Sequence, residues 1–391
     1  MTKEIVNLAV IGLGNMGTPH TRDIQTVENA KLVAVCDIKK ERADEIAEKY
    51  GITPYYDYHD LLADETIDAI IIATPHYFHT PISIEAMKRG INVLTEKPVA
   101  VHAKDAQKMI DAYELAKVEN NNLVFAAMFQ QRTLSYWRKI KDLVDSNELG
   151  KLVRTTWIIT DWFRTQFYYD TGSWRATWKG EGGGVLLNQC PHNLDLYQWI
   201  VGLPNKVSGF VSLGKYHNIE VEDEVTGYFE HENGMVGHFI TTTGESPGTN
   251  RLEIVGEKGK LVCENGEITF FRNRVSMLDT IITSEKGFDK VENWKIKIPC
   301  GTTEGHPHKQ IIQNFVNTIL DKETLLAPAI EGIKSVSLGN AILFSSLTQQ
   351  PVPLPFDMDA YESLLMKLID NSKIQKHETD DSVSDLDQSF G

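Results

Sequence analysis

Lys97 and His192 are the two side chains whose type and setting suit proton chemistry. Lys97 ends the run Val93-Leu94-Thr95-Glu96 and is followed by Pro98, and His192 follows the stretch Gly182-Gly183-Gly184-Val185-Leu186-Leu187-Asn188-Gln189-Cys190-Pro191. An imidazole and an amine facing one hydroxyl-bearing carbon could take up the hydroxyl proton and stabilise the developing alkoxide, which is the acid–base half of a hydride transfer. His192 suits the base, since an unperturbed imidazole titrates near pH ~6.5. Lys97 suits electrostatic stabilisation and proton relay. Asn188 lies four residues before His192 and shares its face if both are helical, while Asp195, three beyond, could orient the ring. Pro191 forces a choice: the helix kinks there, or Pro191 is its first residue.

Holding such groups over a redox cofactor requires a scaffold, and the first third of the chain supplies its signature. Gly12-Leu13-Gly14-Asn15-Met16-Gly17 sits between the apolar run Ile5 to Ile11 and a helical stretch, and Asp37 closes the next apolar run. The glycines permit a tight turn, a close approach to a pyrophosphate and close helix packing, and an acid about twenty residues on can bind ribose hydroxyls. NAD is favoured over NADP, whose 2′-phosphate would meet the Asp37 charge, although Lys39 and Lys40 soften that repulsion. Further apolar runs at Ala69 to Ala73, Ile91 to Thr95 and Leu123 to Met128 alternate with helical periods near Thr18 to Thr26, Lys40 to Tyr50, Pro81 to Arg89 and Ala103 to Glu119. Nearly all-apolar strands separated by helices predict a parallel sheet covered on both faces, an α/β Rossmann domain. Ligands of such sheets lie beyond the carboxyl ends of the strands, so Thr74, Pro75, His79, Glu96 and Lys97 are expected to meet the cofactor together with the glycine turn.

After Met128 the texture changes. A helix over Leu134 to Asp145 leads into strand-like stretches at Leu152 to Thr160, Lys206 to Leu213, Glu222 to Glu230, Met235 to Thr243, Arg251 to Gly256, Gly259 to Cys263 and Glu267 to Phe271. Their alternation and turn signals predict an α+β domain with a large, mostly antiparallel open sheet, followed by helices at Lys309 to Leu320 and Ile330 to Ser346. The expected organisation is a dinucleotide domain over 1–128, a substrate and oligomerisation domain over 129–356, and a C-terminal helix with an acidic disordered tail over 357–391. Trp157, Trp162, Trp174 and Trp178 cluster with Phe163, Phe167, Tyr168 and Tyr169. They read as a sugar-facing pocket wall, with Arg164, Arg175 and Lys179 as donors, and equally as aromatic packing within the domain or at a subunit contact. Arg132, in Gln130-Gln131-Arg132, is a further candidate for substrate contact, alongside Arg164, Trp174, Arg175, Asn188 and His192.

The 391 residues carry a formal net charge of −15, which argues against nucleic acid or an anionic membrane as partner. Four separated cysteines, Cys36, Cys190, Cys263 and Cys300, read as reduced thiols. The first strand starts too near Met1 for a signal peptide and no apolar run reaches membrane-spanning length, so a cytoplasmic protein is expected. His306-Pro307-His308 reads as a helix entry, and no metal is assigned.

The glycine turn, Glu96-Lys97-Pro98 and the triple glycine followed by a histidine resemble, in that order, the Gfo/Idh/MocA oxidoreductases, over about residues 5 to 355. The resemblance implies a two-domain fold whose second sheet oligomerises, NAD(P)-linked redox chemistry on sugars, cyclitols and relatives, and catalytic roles for Lys97 and His192. Many members have an aspartate where this chain has Asn188, so the resemblance implies that Asn188 completes the catalytic set, as a hydrogen-bonding partner for a substrate hydroxyl, because an amide neither takes a proton nor supplies charge. The expectation is an NAD(P)-dependent oxidoreductase acting on a secondary alcohol of a sugar, cyclitol or related polyol, as a homodimer or homotetramer. The alternatives are an NAD-retaining glycoside hydrolase working by transient oxidation and a non-enzymatic dinucleotide-dependent regulator.

Overall fold

A computed structural model describes residues 4–374 except 173 and 304. The first six strands are β1 (Val6–Ile11), β2 (Ala30–Cys36), β3 (Thr53–Tyr55), β4 (Ala69–Ile72), β5 (Asn92–Thr95) and β6 (Phe125–Ala127). The helices between them are α1 (Gly17–Ile24), α2 (Lys40–Tyr50), α3 (Tyr58–Leu62), α4 (His79–Lys88) and α5 (Ala103–Glu119). All pairs in this sheet are parallel, in the order β3-β2-β1-β4-β5-β6. Strand order reverses between β1 and β4, and the crevice that opens there is where a doubly wound sheet takes its ligand. Helices on both faces explain the composition of the central strands: Ile70, Ile71 and Ile72 of β4 are wholly buried, each contributing about 1.5–3 kcal/mol.

The second half starts with α6 (Ser135–Asp145), β7 (Leu152–Ile159), α7 (Gln166–Asp170) and α8 (Pro191–Val201). It continues through β8 (Lys206–Leu213), β9 (Glu222–Glu230), β10 (Val236–Thr242), β11 (Asn250–Gly256), β12 (Gly259–Glu264), β13 (Glu267–Asn273), α9 (Met277–Thr283) and β14 (Asn293–Ile298). The described chain closes with α10 (Pro307–Ile319), α11 (Gly332–Thr348), β15 (Val352–Pro353) and α12 (Met358–Asp370). Nine strands form one sheet in the order β14-β13-β12-β11-β7-β10-β9-β8-β15, antiparallel except where β10 runs parallel to β7. One face of this sheet is core, with Trp157, Phe229, Phe239 and Ile254 buried, and α8 and α11 lie against it. Its other face carries partly exposed residues such as Arg154, Thr156, Ile158, Tyr228 and His238, which is the alternation expected of an open sheet.

The sequence boundary at 128 does not separate the packing. α10 lies on α1, with Glu28 N–H donating to Gln313 Oε1 at 2.7 Å, and Pro328 bridges to Ala126 at the edge of β6. His306 immediately precedes α10, as its helix-entry reading expects. Most of the expected acidic tail, residues 375–391, lies outside the described residues. No described helix is long and apolar enough to cross a membrane.

Candidate active site at the junction of the two domains

The glycine turn closes the carboxyl end of β1 tightly. Gly12 has φ +89°, and a Cβ there would lie 2.7 Å from the Ala73 carbonyl oxygen, so both its backbone and its surroundings exclude a side chain. A Cβ on Gly17 would strike the Gly12 carbonyl, whereas one on Gly14 would project into open space. Met16 caps α1 without a side-chain hydrogen bond, and Asn15 lies within the turn. Asp37 stands beside this turn: its carboxylate accepts the Leu13 N–H at 2.7 Å and the Lys39 N–H at 2.8 Å. The cradle fits a dinucleotide, with open space over Gly14, an uncapped helix start and a carboxylate at its rim.

Across the switch point, Thr74 Oγ1 is buried with no hydrogen-bond partner, a hydroxyl left free for a ligand. Pro75 starts the 3₁₀ turn His76–Phe78. His79 was expected to touch the cofactor, but its ring lies between two protein carbonyls, Nδ1 2.8 Å from that of Pro98 and Nε2 2.9 Å from that of Thr74, and as a neutral imidazole it donates to one of them. It splices the loops after β4 and β5. Glu96 accepts the Lys97 N–H at 3.1 Å and lies 2.8 Å from His20 Nε2. Burial pushes its carboxyl up, but the His20 hydrogen bond and charge outweigh this and bring it to about 2.

Lys97 reaches across the domain boundary, where Nζ donates to the Asn188 carbonyl at 2.9 Å. Burial lowers its ammonium below the ordinary 10.5, opposed by Glu96 and then Glu181. The segment carrying Asn188 is held in place by Glu222 of β9, whose carboxylate accepts the N–H groups of Gly184 at 2.8 Å and Leu186 at 3.0 Å. A side chain on Gly184 would collide with the Glu222 backbone. Burial pushes Glu222 up to about 7 despite those two bonds.

Pro191 is the first residue of α8, so Asn188 precedes the helix and does not share a helical face with His192. His192 stands in the first turn, Nε2 3.1 Å from the Gln130 amide nitrogen and Nδ1 buried without a partner. Burial and then the Lys97 charge push its pKa well below 6.5, so the ring is neutral at pH 7, contrary to the near-neutral titration expected from an unperturbed imidazole.

Asp195 does not orient His192. Its carboxylate binds Arg132 bidentately, at 2.6 and 2.8 Å, and also accepts from Gln198 at 3.0 Å. Arg132 is 1 % exposed and lies 2.7 Å from Glu331 as well, so the expected substrate contact is replaced by a buried structural ion pair. The remaining expected substrate residues do gather. Arg164 and Arg175 lie over the Tyr168 ring at 5.2 and 4.9 Å, and Tyr168 Oη is 3.5 Å from Asn188 Oδ1. Trp174 meets His76 edge-on at 5.0 Å, and Tyr77 donates to the Trp178 carbonyl at 2.8 Å, docking the tryptophan segment onto the first domain. Trp157 is instead sheet core, against Trp137 and Phe239.

Sequence reasoning missed Glu181, which is 1 % exposed and whose carboxylate accepts from the Asn188 side-chain amide and from the Ala176 N–H at 2.6 Å. Its only signal was position, an acid immediately before the triple glycine. Glu222 was missed too, since it lay unremarkably within an alternating strand.

Residues 6–122 match the model described as the oxidoreductase family with an NAD-binding Rossmann fold, and residues 137–262 match the Gfo/Idh/MocA C-terminal domain. The chain belongs to the Gfo/Idh/MocA oxidoreductases. It is an NAD-dependent dehydrogenase acting on CH–OH groups. It is 24% identical to the scyllo-inositol 2-dehydrogenase (NAD(+)) of Bacillus subtilis over 361 residues, 89% of this chain and 96% of that protein. The WlbA dehydrogenase of Chromobacterium violaceum, solved with NADH and UDP-GlcNAcA, superimposes with a TM-score of 0.77 at 27% identity, covering 91% of this chain and 98% of that one. For the Bordetella pertussis WlbA dehydrogenase, solved with the same two ligands, the values are 0.75 and 25%, covering 90% and 100%.

Proposed function

We propose that the protein oxidises or forms a secondary alcohol of a cyclitol, sugar or related polyol, with Lys97 and His192 as the acid–base groups at the reacting carbon. The observation that carries this reading is the Lys97 amine, brought from the first domain onto the Asn188 carbonyl of the second and close enough to His192 to depress its pKa. The polar surroundings, Asn188, Tyr168, Arg164 and Arg175, suit a substrate with several hydroxyls, and the inositol dehydrogenase relative points the same way.

The backbone around Gly12, Gly14, Asn15, Met16 and Gly17 would hold the pyrophosphate, Asp37 a ribose, and Thr74, Pro75, Glu96 and Lys97 the nicotinamide end. The bound nicotinamide would supply hydride acceptance or donation at the carbon. Lys97 carries the proton of the substrate oxygen: as the neutral amine it takes the hydroxyl proton when the alcohol is oxidised, and as the ammonium so formed it stabilises negative charge there and returns the proton when the ketone is reduced, its lowered pKa easing that exchange. His192, as neutral imidazole, accepts or donates a hydrogen bond at the same oxygen and orients it. Glu96 and His79 fix the loops from which Lys97 projects.

A screen of aldoses, inositols, uronates and anhydrosugars with NAD, following reduced nicotinamide, tests the reading. Stoichiometric NADH with a polyol is expected. Cleaved glycoside with no NADH would point to the glycosidase chemistry instead, and no turnover on any member would remove the polyol assignment.

The open face of the nine-stranded sheet, where Ile158, Val236, Ile240, Val255 and Tyr228 lie among the Arg154–Glu253 and Arg251–Glu253 pairs, is the surface inferred to join copies into a dimer or tetramer. Sedimentation of the purified protein checks this, and a monomer at micromolar concentration would contradict it.

A further inference from the structure

Asn188 has no charge to lend to Lys97, yet the amine rests on its backbone carbonyl. Beyond Asn188 the hydrogen bonds continue inward. The Asn188 side-chain amide donates to Glu181 Oε1, Glu181 Oε2 takes the Ala176 N–H, and the Glu181 carbonyl lies 3.3 Å from His76 Nδ1. A carboxylate this deeply buried is costly, and one backbone N–H and one amide do not offset the lost hydration: burial pushes its pKa up. The groups facing Glu181 are Asn188, Arg175, Lys97 and the Glu222 carboxyl, with Tyr169 further round. The groups facing Lys97 are two acids, Glu96 and Glu181, the cations Arg175 and Arg164, the Cys190 thiol, which burial keeps protonated, and the His192, His76, His79 and His308 rings, which burial keeps neutral at pH 7. Glu96 is already shared between His20 and the Lys97 backbone. Glu181 is the acid on the Asn188 side of the amine.

We propose that Glu181 is the positioning residue for Lys97: through the Asn188 side chain it fixes the carbonyl that holds the amine, and its carboxylate supplies the charge that keeps that amine protonated at the substrate oxygen. This rests on the acid–base role given to Lys97 above. It also accounts for an uncharged residue at 188, since the charge sits one hydrogen bond further away.

E181Q keeps the volume and removes the charge, its one amide oxygen accepting from either the Asn188 amide or the Ala176 N–H. Without that anion the ammonium is less favoured, so in reduction of the ketone by NADH, where Lys97 gives the proton, the alkaline limb of kcat moves to lower pH by about one unit, a tenfold loss of rate on that limb, while NADH affinity is unchanged. The double variant E181Q/N188D returns a negative charge to the pair and is expected to bring the limb back. A limb unmoved in E181Q overturns the proposal. Should E181Q fail to fold, Glu181→Asp keeps the charge on a shorter stem: kcat falls with the limb in place, and a displaced limb counts against the idea. A second readout needs no turnover. Competitive acetylation of Lys97 with acetic anhydride across pH, on the NADH-bound protein and read by peptide mass spectrometry, gives the midpoint of the amine directly. A lower midpoint in E181Q supports the proposal even if no polyol is oxidised, in which case only the functional reading has failed. Equal midpoints sink the proposal whatever the substrate.

Discussion

The same burial acts on Lys97 and His192 in one direction, lowering both pKa values, with different results: the lysine moves toward the working range and the histidine leaves it. The sign follows from desolvation, which disfavours the cation of each. In reduction of the ketone by NADH, where Lys97 acts as ammonium, the acid limb of kcat, at which His192 would protonate, is therefore expected below pH 6.5, and the alkaline limb below pH 10.5. A pH profile with an acid limb at or above 6.5 would contradict a neutral buried imidazole. Lys97→Met removes the ammonium from the alkoxide, and a loss of about 10²–10³ in kcat with near-normal NADH binding is expected. Unaltered turnover would take Lys97 out of the mechanism. Asp37→Ala is expected to weaken NAD by about tenfold, ~1.4 kcal/mol, and to narrow the preference over NADP, read by titrating both cofactors. At this scale the sequence picked out Lys97, His192 and the glycine turn by motif position alone, and the roles of the two side chains are those proposed above. It did not foresee that His79, Arg132 and Asp195 bond within the protein, because a polar side chain near a site is equally able to do so. Only the partner's position, set by distant segments, decides between the two: Pro98 for His79, and Asp195 with Glu331 for Arg132.

Elements inherit their legibility from burial. β4, apolar throughout and wholly buried, was plain, as were β9 and β11, whose alternation records one buried and one open face. α9 and β14 went unseen: α9 buries none of its residues and β14 runs mostly exposed along the sheet edge, so neither carries a periodic apolar signal. The parallel pairing of β10 with β7 was invisible for another reason. Period-two patterning fixes which side chains face the core and says nothing of which strand lies alongside. The start of α8 was decided by Pro191, whose missing N–H suits a first turn, and this moved Asn188 off the helix. α8 is in turn tied to the segment before α6 by the Arg132–Asp195 pair. Asp195→Ala leaves Arg132 buried with Glu331 as its remaining acid, and a loss of about 3 kcal/mol is expected, at the lower end for a broken buried pair. Urea unfolding measures it, and a change under 1 kcal/mol would show that Glu331 alone satisfies the guanidinium.

The chain as a whole is two sheets joined at one seam, and the proposed active site is that seam. Lys97 to Asn188, Tyr77 to Trp178 and His76 to Glu181 all cross it, while α10 and the Pro328 bridge return from the second half of the sequence to the first domain. The sequence divided the chain at 128 because composition changes there, but composition is blind to a helix that folds back over a boundary. With so much of the second half packed on the first, the two sheets have little reason to unfold separately. A dinucleotide held by the first domain should therefore stabilise the entire molecule. At NADH about one hundred times its Kd, linkage adds ~2.7 kcal/mol to the folded state, and calorimetry should show one transition moving upward as a unit. Two transitions, of which only one responds to NADH, would mean that the seam transmits no stability between the sheets.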